Sequence, residues 1–161
     1  MKVIVMFVLL CVDLSFNCSF DYDNYNISGS DLNIVPLAIQ LIIEISIFLV
    51  LFLTMAETYL FRVGLLGILI KKFRYVLILQ PIYICFTLVT GVYRIKRLGD
   101  GYDLVGLWKK DELFLLLSTF HKCVPIIYYV ANMRATLDLG STIYFDRSVW
   151  VSLVKQYKME V

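Results

Sequence analysis

An all-α polytopic membrane protein with four transmembrane helices and a C-terminal amphipathic, interfacial helix is the fold class this sequence predicts. Three observations lead there. Of the 161 residues, 60% are hydrophobic, where soluble domains average roughly half. The mean hydropathy is +0.80. Apolar runs near or above the length needed to cross a bilayer recur along the chain, separated by polar or charged stretches.

The first span covers residues 2–20. MKVIVMFVLLCV begins it, one lysine followed by apolar residues, which also resembles a signal-peptide core. Residues 13–19, DLSFNCS, offer no small-x-small cleavage site and apolar character resumes after Asp13. A retained helix interrupted by one acid is therefore favoured over a cleaved leader. Residues 21–33 lack Lys and Arg and are rich in Asp, Asn, Ser and Gly, the composition of a polar loop. Two Asn-x-Ser sequons are glycosylation candidates, at Asn26 in this loop and at Asn17. Asn26 is the better placed, because Asn17 lies close to the membrane edge.

The second span covers 34–56, with Pro36 in its first turn and Gln40 and Glu44 inside it. Residues 60–72 hold an apolar run too short to cross, with Gly64, Gly67 and basic residues at both ends, so an interfacial or re-entrant segment is expected. The third span covers 75–93, where Pro81 should kink or loosen the helix. Residues 94–112 form a charged loop whose Gly-Asp-Gly turn lacks the acid spacing of a calcium-binding loop. The fourth span covers 113–133, with Trp108 at the interface before it. A second interfacial segment is expected at 146–158, where Val149, Trp150, Leu153, Val154 and Tyr157 recur on one face.

Charge asymmetry sets the expected topology. With four spans both termini share a side. That side would carry nine basic residues (Lys2, Arg62, Lys71, Lys72, Arg74, Arg134, Arg147, Lys155, Lys158) against five (Arg94, Lys96, Arg97, Lys109, Lys110) on the other. Both termini are therefore expected in the cytosol.

In that orientation the second and fourth spans run in the same direction. Glu44 and Lys122 then lie at matching depths, about 14 to 15 Å from the lumenal edge. A lysine in mid-membrane costs several kcal/mol unless it faces helices, water or an acid. Lys122 is thus expected to pair with Glu44, with Asp13 or His121 nearby. Such a cluster is either a clamp that fixes helix register or an acid, histidine and lysine relay for protons or ions; the alternative functions are then a small subunit of a larger membrane complex or an ion-coupled carrier using Lys122 and Glu44.

The remaining classes are disfavoured. A formal charge of +2, from 15 basic and 13 acidic residues, does not suggest nucleic acid. Cys11, Cys18, Cys85 and Cys123 are scattered through apolar stretches without a CxxC pair, so neither a metal site nor a disulfide framework is expected. One histidine, and no HExxH, GxSxG or phosphate loop, argue against catalysis, and no cofactor or small-molecule substrate is indicated. The lipid bilayer is the one partner that the residues themselves require.

Three stretches carry a resemblance: LLCVDLSFNCSF at 9–20, ETYLFRVGLLGILIKKFRYVLILQPIY at 57–83 and YVANMRATLDLGSTIYFDRSVW at 129–150. Together they resemble the transmembrane protein 138 family, small four-span proteins of the cilium. The family pattern has a basic residue where Lys122 stands and no clear acid at Glu44. The resemblance implies a role in cilium assembly, in trafficking or retaining membrane proteins at the ciliary base and transition zone. It also implies other small tetraspanning proteins as partners, and a vesicle or vacuolar membrane pool beside the ciliary one.

Overall fold

The computed structural model of the chain describes residues 2–19, 34–101, 104–146 and 149. Among them the elements are helical: α1 Lys2–Ser19, α2 Ile34–Ala56, α3 Tyr59–Arg62, α4 Leu66–Gly99, α5 Leu104–Lys110 and α6 Glu112–Leu139, with a 3-10 turn at Thr142–Tyr144. Four of them, α1, α2, α4 and α6, are long and apolar enough to cross a membrane. They pack as a ring in the order α1, α2, α4, α6, with α6 closing against α1.

The polar connections follow local chemistry. After α2, Thr58 caps α3: its hydroxyl donates to the Met55 carbonyl at 2.7 Å and accepts from the Phe61 amide at 3.4 Å. Gly64 then turns the chain with φ +81°, a conformation that costs glycine little and other residues more. Beyond that turn the helix restarts at Leu66 and runs without interruption to Gly99. The sequence divides here into an interfacial segment at 60–72 and a span at 75–93; the structure instead breaks at 63–65 and joins the rest. Lys71, Lys72 and Arg74 sit exposed on the helix surface. Pro81 removes one amide donor without ending the helix, as membrane helices tolerate. The charged loop contains a short helix, α5, and Asp111 caps α6 by accepting from the Phe114 amide at 3.2 Å. Of the expected 146–158 segment, only residues 146 and 149 fall within the described part.

The helices meet along seams spaced alternately by four and three residues. In α1 the buried positions are Met6, Leu10 and Asp13. In α2 they include Gln40, Glu44, Ile47, Leu51 and Thr54. In α4 they are Leu69, Phe73, Val76, Gln80, Tyr83, Thr87 and Thr90. In α6 Phe114, Ser118, Pro125, Tyr128, Asn132, Ala135 and Leu139 follow the same rhythm, with partly exposed His121 in the slot between Ser118 and Pro125. A 3.5-residue period keeps one stripe facing its neighbours in a left-handed bundle.

The composition of these seams is that of a membrane protein. Asp13, Glu44, Gln80 and Asn132 are wholly buried, while Ile4, Ile42, Ile126 and Ile127 are each more than 60% exposed. In lipid, apolar exposure is no penalty, and polar side chains join helices by hydrogen bonds.

At the end of the bundle holding Lys2, the core is apolar: Met6, Leu51, Met55, Leu60, Leu69, Phe73 and Leu139. An ion pair between Lys2 and Glu57 ties α1 to the chain just after α2 there. At the opposite end Arg97 pairs with Asp111 at 3.0 Å, and the Tyr93 hydroxyl donates to the same carboxylate at 2.9 Å.

Candidate functional site

Between these ends lies a layer of polar side chains contributed by all four spans. Asp13 and Asn17, one turn apart on α1, point into the bundle. The hydroxyls of Tyr129 on α6 and Tyr83 on α4 donate to Asp13 Oδ2 at 2.7 and 3.1 Å. Having donated, both phenol oxygens can accept, and Asn17 Nδ2 donates to Tyr83 at 2.6 Å and to Tyr129 at 2.8 Å. With its two protons so used, the 3.4 Å approach of Asn17 to Asp13 is a weak contact. Gln40 on α2 completes the circuit by donating to Asn17 Oδ1 at 2.8 Å. One carboxylate oxygen therefore gathers donors from two other helices, and the amide beside it gathers a third.

Nearer the Arg97 end, Thr87 of α4 donates to Glu44 Oε1 at 2.6 Å and stands 3.1 Å from His121 Nε2. Thr87 thus stands between the carboxylate and the imidazole, and with its proton on Glu44 its oxygen is free to accept from a His121 protonated on Nε2. Gln80 donates to the Tyr128 hydroxyl at 2.8 Å and to the Glu44 carbonyl at 3.2 Å. The Tyr83 ring links the two groups: its centroid lies 4.2 Å from that of Tyr128 and 6.0 Å from that of His121, stacked at 14°.

Three of the four residues singled out for the intramembrane cluster thus come together. Asp13, Glu44 and His121 share this layer; Lys122 does not join it. Its ammonium lies over the Trp108 ring, 5.1 Å from the centroid, a cation–π geometry. The expected Lys122–Glu44 pair is accordingly replaced by Glu44–Thr87–His121. Along the axis of α6 the difference is a single residue, because His121 and Lys122 are neighbours. Facing is what differs, since one residue turns the helix by about 100°, enough to take Lys122 off the seam and toward α5.

Asn17, one of the two glycosylation candidates, turns its amide inward. Its Nδ2, the atom a glycan would occupy, is spent on Tyr83 and Tyr129 inside the bundle. Asn26 lies outside the described residues.

Gln80, Tyr83, Thr87, Tyr128 and Tyr129 were not singled out by sequence reasoning. All but Tyr129 fall on the four-three seams, so a search for that rhythm would have found them. Tyr129 stands beside the seam residue Tyr128, and no spacing marks it. Among the described residues no group of three or more His, Cys, Asp or Glu side chains is placed to hold a metal ion. The four cysteines are free and exposed. Nor does any lysine or arginine among the described residues form an ion pair with Asp13 or Glu44. The arrangement can cross-link four helices at one depth through directional hydrogen bonds.

The family profile of transmembrane protein 138 matches residues 33–154, from the start of α2 into the C-terminal segment. Transmembrane protein 138 of Xenopus tropicalis is 25% identical over 103 residues, which are 64% of this chain and 62% of that protein. The match thus spans less than two thirds of the frog relative. Transmembrane protein 138 of Danio rerio is 24% identical over 127 residues, 73% of each chain. No solved structure matches the chain. With three quarters of its length matched by one profile, the chain belongs to the transmembrane protein 138 family.

Proposed function

We propose that this protein is a non-enzymatic membrane factor for cilium assembly, acting in the trafficking or retention of membrane proteins at the ciliary base and transition zone. The observation that carries this reading is the family match over residues 33–154. The architecture is compatible with it. The polar layer's hydrogen bonds run mostly between helices, which suits a scaffold of fixed shape. In this reading both termini are cytosolic, the Asn26 loop is lumenal, and other small tetraspanning proteins of the ciliary base are the partners. A vesicle or vacuolar pool accompanies the ciliary one.

A tagged full-length chain tests it in ciliated cells. Concentration at the ciliary base, loss of cilia on deletion, and proximity labelling of ciliary membrane proteins are the expected results. A uniform distribution with cilia intact after deletion would overturn it.

One observation favours a second reading, an ion-coupled carrier. Asp13 and Glu44 are wholly buried acids without a basic ion-pair partner among the described residues, and intramembrane acids often mark ion pathways. Asp13→Asn and Glu44→Gln proteins that keep their abundance but lose a transport current would favour it. Equal currents with and without the protein would remove it.

A further inference from the structure

On the outer face of α4, a basic cluster and an apolar groove lie on one stripe. At about 100° per residue, Lys71, Tyr75, Ile78, Ile82, Cys85 and Val89 fall within about 40° of a common meridian, and Arg74 about 60° to one side. Lys71, Arg74 and Tyr75 are exposed. Further along, Pro81, Ile82, Cys85, Phe86 and Val89 line a groove of about 360 Å³ whose walls are wholly apolar. Proline lacks the amide proton of an ordinary residue and disturbs the preceding turn, so a depression beside Pro81 has a local cause.

The two parts match the two ends of a phospholipid. Arg74 is held ready at the head: its guanidinium lies 4.7 Å from the Tyr75 ring centroid and donates to that hydroxyl at 2.8 Å. Lys72 is turned instead toward Tyr144, 4.9 Å from its ring centroid, so Lys71 and Arg74 are the pair on this stripe. No acid occurs anywhere in α4; of the acids at the same end, Glu57 is taken by Lys2, and among the described residues neither Asp138 nor Asp146 forms an ion pair with Lys71 or Arg74. From Arg74, the groove begins about 10 Å along the helix and ends about 22 Å along it. The hydrocarbon half-thickness is about 15 Å, so the groove is centred near the depth that acyl-chain ends reach.

We propose that this stripe of α4 binds one anionic phospholipid from the leaflet at the Lys71 end, its phosphate on Lys71 and Arg74 and the end of an acyl chain in the groove at Pro81. Charge complementarity selects the headgroup class, since basic residues at a membrane surface attract anionic lipid. The shallow groove beside Pro81 adds an apolar contact for a chain to the attraction for the headgroup. This inference does not depend on the ciliary reading.

The test uses the full chain purified in detergent, stripped stepwise, with phosphatidylserine and phosphatidylcholine as probes and retained lipid counted by native mass spectrometry. One phosphatidylserine should persist where phosphatidylcholine is lost. Lys71→Gln with Arg74→Gln should weaken retention about 25-fold, about fivefold per charge, whereas Lys71→Arg with Arg74→Lys should keep it. Cys85→Trp should fill the groove and lower retention with the charges intact. Lys96→Gln with Lys109→Gln, at the opposite end, should change nothing. Equal retention of the two lipids would overturn the site, as would a charge-neutral variant that binds like the parent. An equal loss from the opposite-end variant would reduce it to general surface charge. Loss of a co-purifying protein rather than lipid from Cys85→Trp would assign the groove to a partner helix.

Discussion

The replacement of the Lys122–Glu44 pair by Glu44–Thr87–His121 can be measured as a coupling energy. Thr87 and Glu44 are both buried, and their hydrogen bond is 2.6 Å long. A hydrogen bond to a carboxylate contributes about 1.5–3 kcal/mol in soluble proteins, and interhelical bonds in membranes average about 0.6 kcal/mol with a maximum near 1.7. A coupling of about 1 kcal/mol is the expected value. Thr87→Val strands an acceptor on Glu44, and Glu44→Leu strands the hydroxyl donor of Thr87. Made together they leave neither, so the double variant should be more stable than the sum of the singles by that amount. Glu44→Leu with Lys122→Met should instead be additive to within about 0.5 kcal/mol, because Lys122 faces Trp108. Thermal unfolding of the purified protein reads both cycles, at about 2–4 °C of Tm per kcal/mol for a chain of this size. Strong rescue of Glu44→Leu by Lys122→Met, with additivity between Glu44 and Thr87, would refute the arrangement and reinstate the ion pair.

Three further outcomes follow from local geometry. A Cβ on Gly91 would stand within 3.1 Å of three side-chain carbons of Leu37 across the α2–α4 contact. These atoms are the far end of a half-buried side chain that can turn away, and alanine's higher helix propensity offsets part of the strain, so Gly91→Ala should cost no more than about 1 kcal/mol, and Leu37→Ala on that background should remove that loss in Tm. At the Asp111 carboxyl, desolvation pushes the pKa up, but the Phe114 amide, the Tyr93 hydroxyl, Arg97 and the Leu113 amide outweigh it and hold the value below the usual 3.8. The stability this contributes is complete above pH 3.8 and is lost as pH falls below it through the folded-state value. Melting curves of Asp111→Asn should lack that acid-side loss. For glycosylation, Ser28→Ala should abolish any glycosidase-sensitive shift and Ser19→Ala should leave it unchanged. A shift that depends on Ser19 would contradict the inward hydrogen bonds of Asn17.

How much was legible in the sequence differs between axial position and facing. Run length and hydropathy locate the four spans, because crossing a bilayer demands about 20 apolar residues whatever the partners are. Relative height follows from the constant rise per residue, and Glu44 is linked through Thr87 of α4 to His121, the neighbour of Lys122 on α6. What the residues alone did not disclose is that Lys122 leaves the seam and His121 stays on it. Charge drew attention to the lysine, yet seam position is decided by the spacing of its neighbours. The break at 63–65 had a visible sign in Gly64, whereas the basic cluster at 71–74 suggested an end to the apolar run that the helix ignores. A helix needs apolar residues only where it touches lipid, and its backbone continues past the membrane edge as long as its inner face, here Leu69 and Phe73, has a core to pack on.

The same distinction explains Asn17. As part of a sequon it reads as a surface residue, and near a membrane edge it reads as a poor one. On the α1 seam it follows Met6, Leu10 and Asp13 at the four-three spacing, which predicts burial before any contact is known. An asparagine amide so placed must find partners of both kinds, because stranding it in an apolar interior costs about 1–3 kcal/mol on mutational scales. Tyr83, Tyr129 and Gln40 supply them from the other three spans. These side chains meet only when the four helices stand in one register. Sliding any helix by a turn would strand several polar groups at once, so the polar layer specifies the assembly more sharply than the apolar contacts around it.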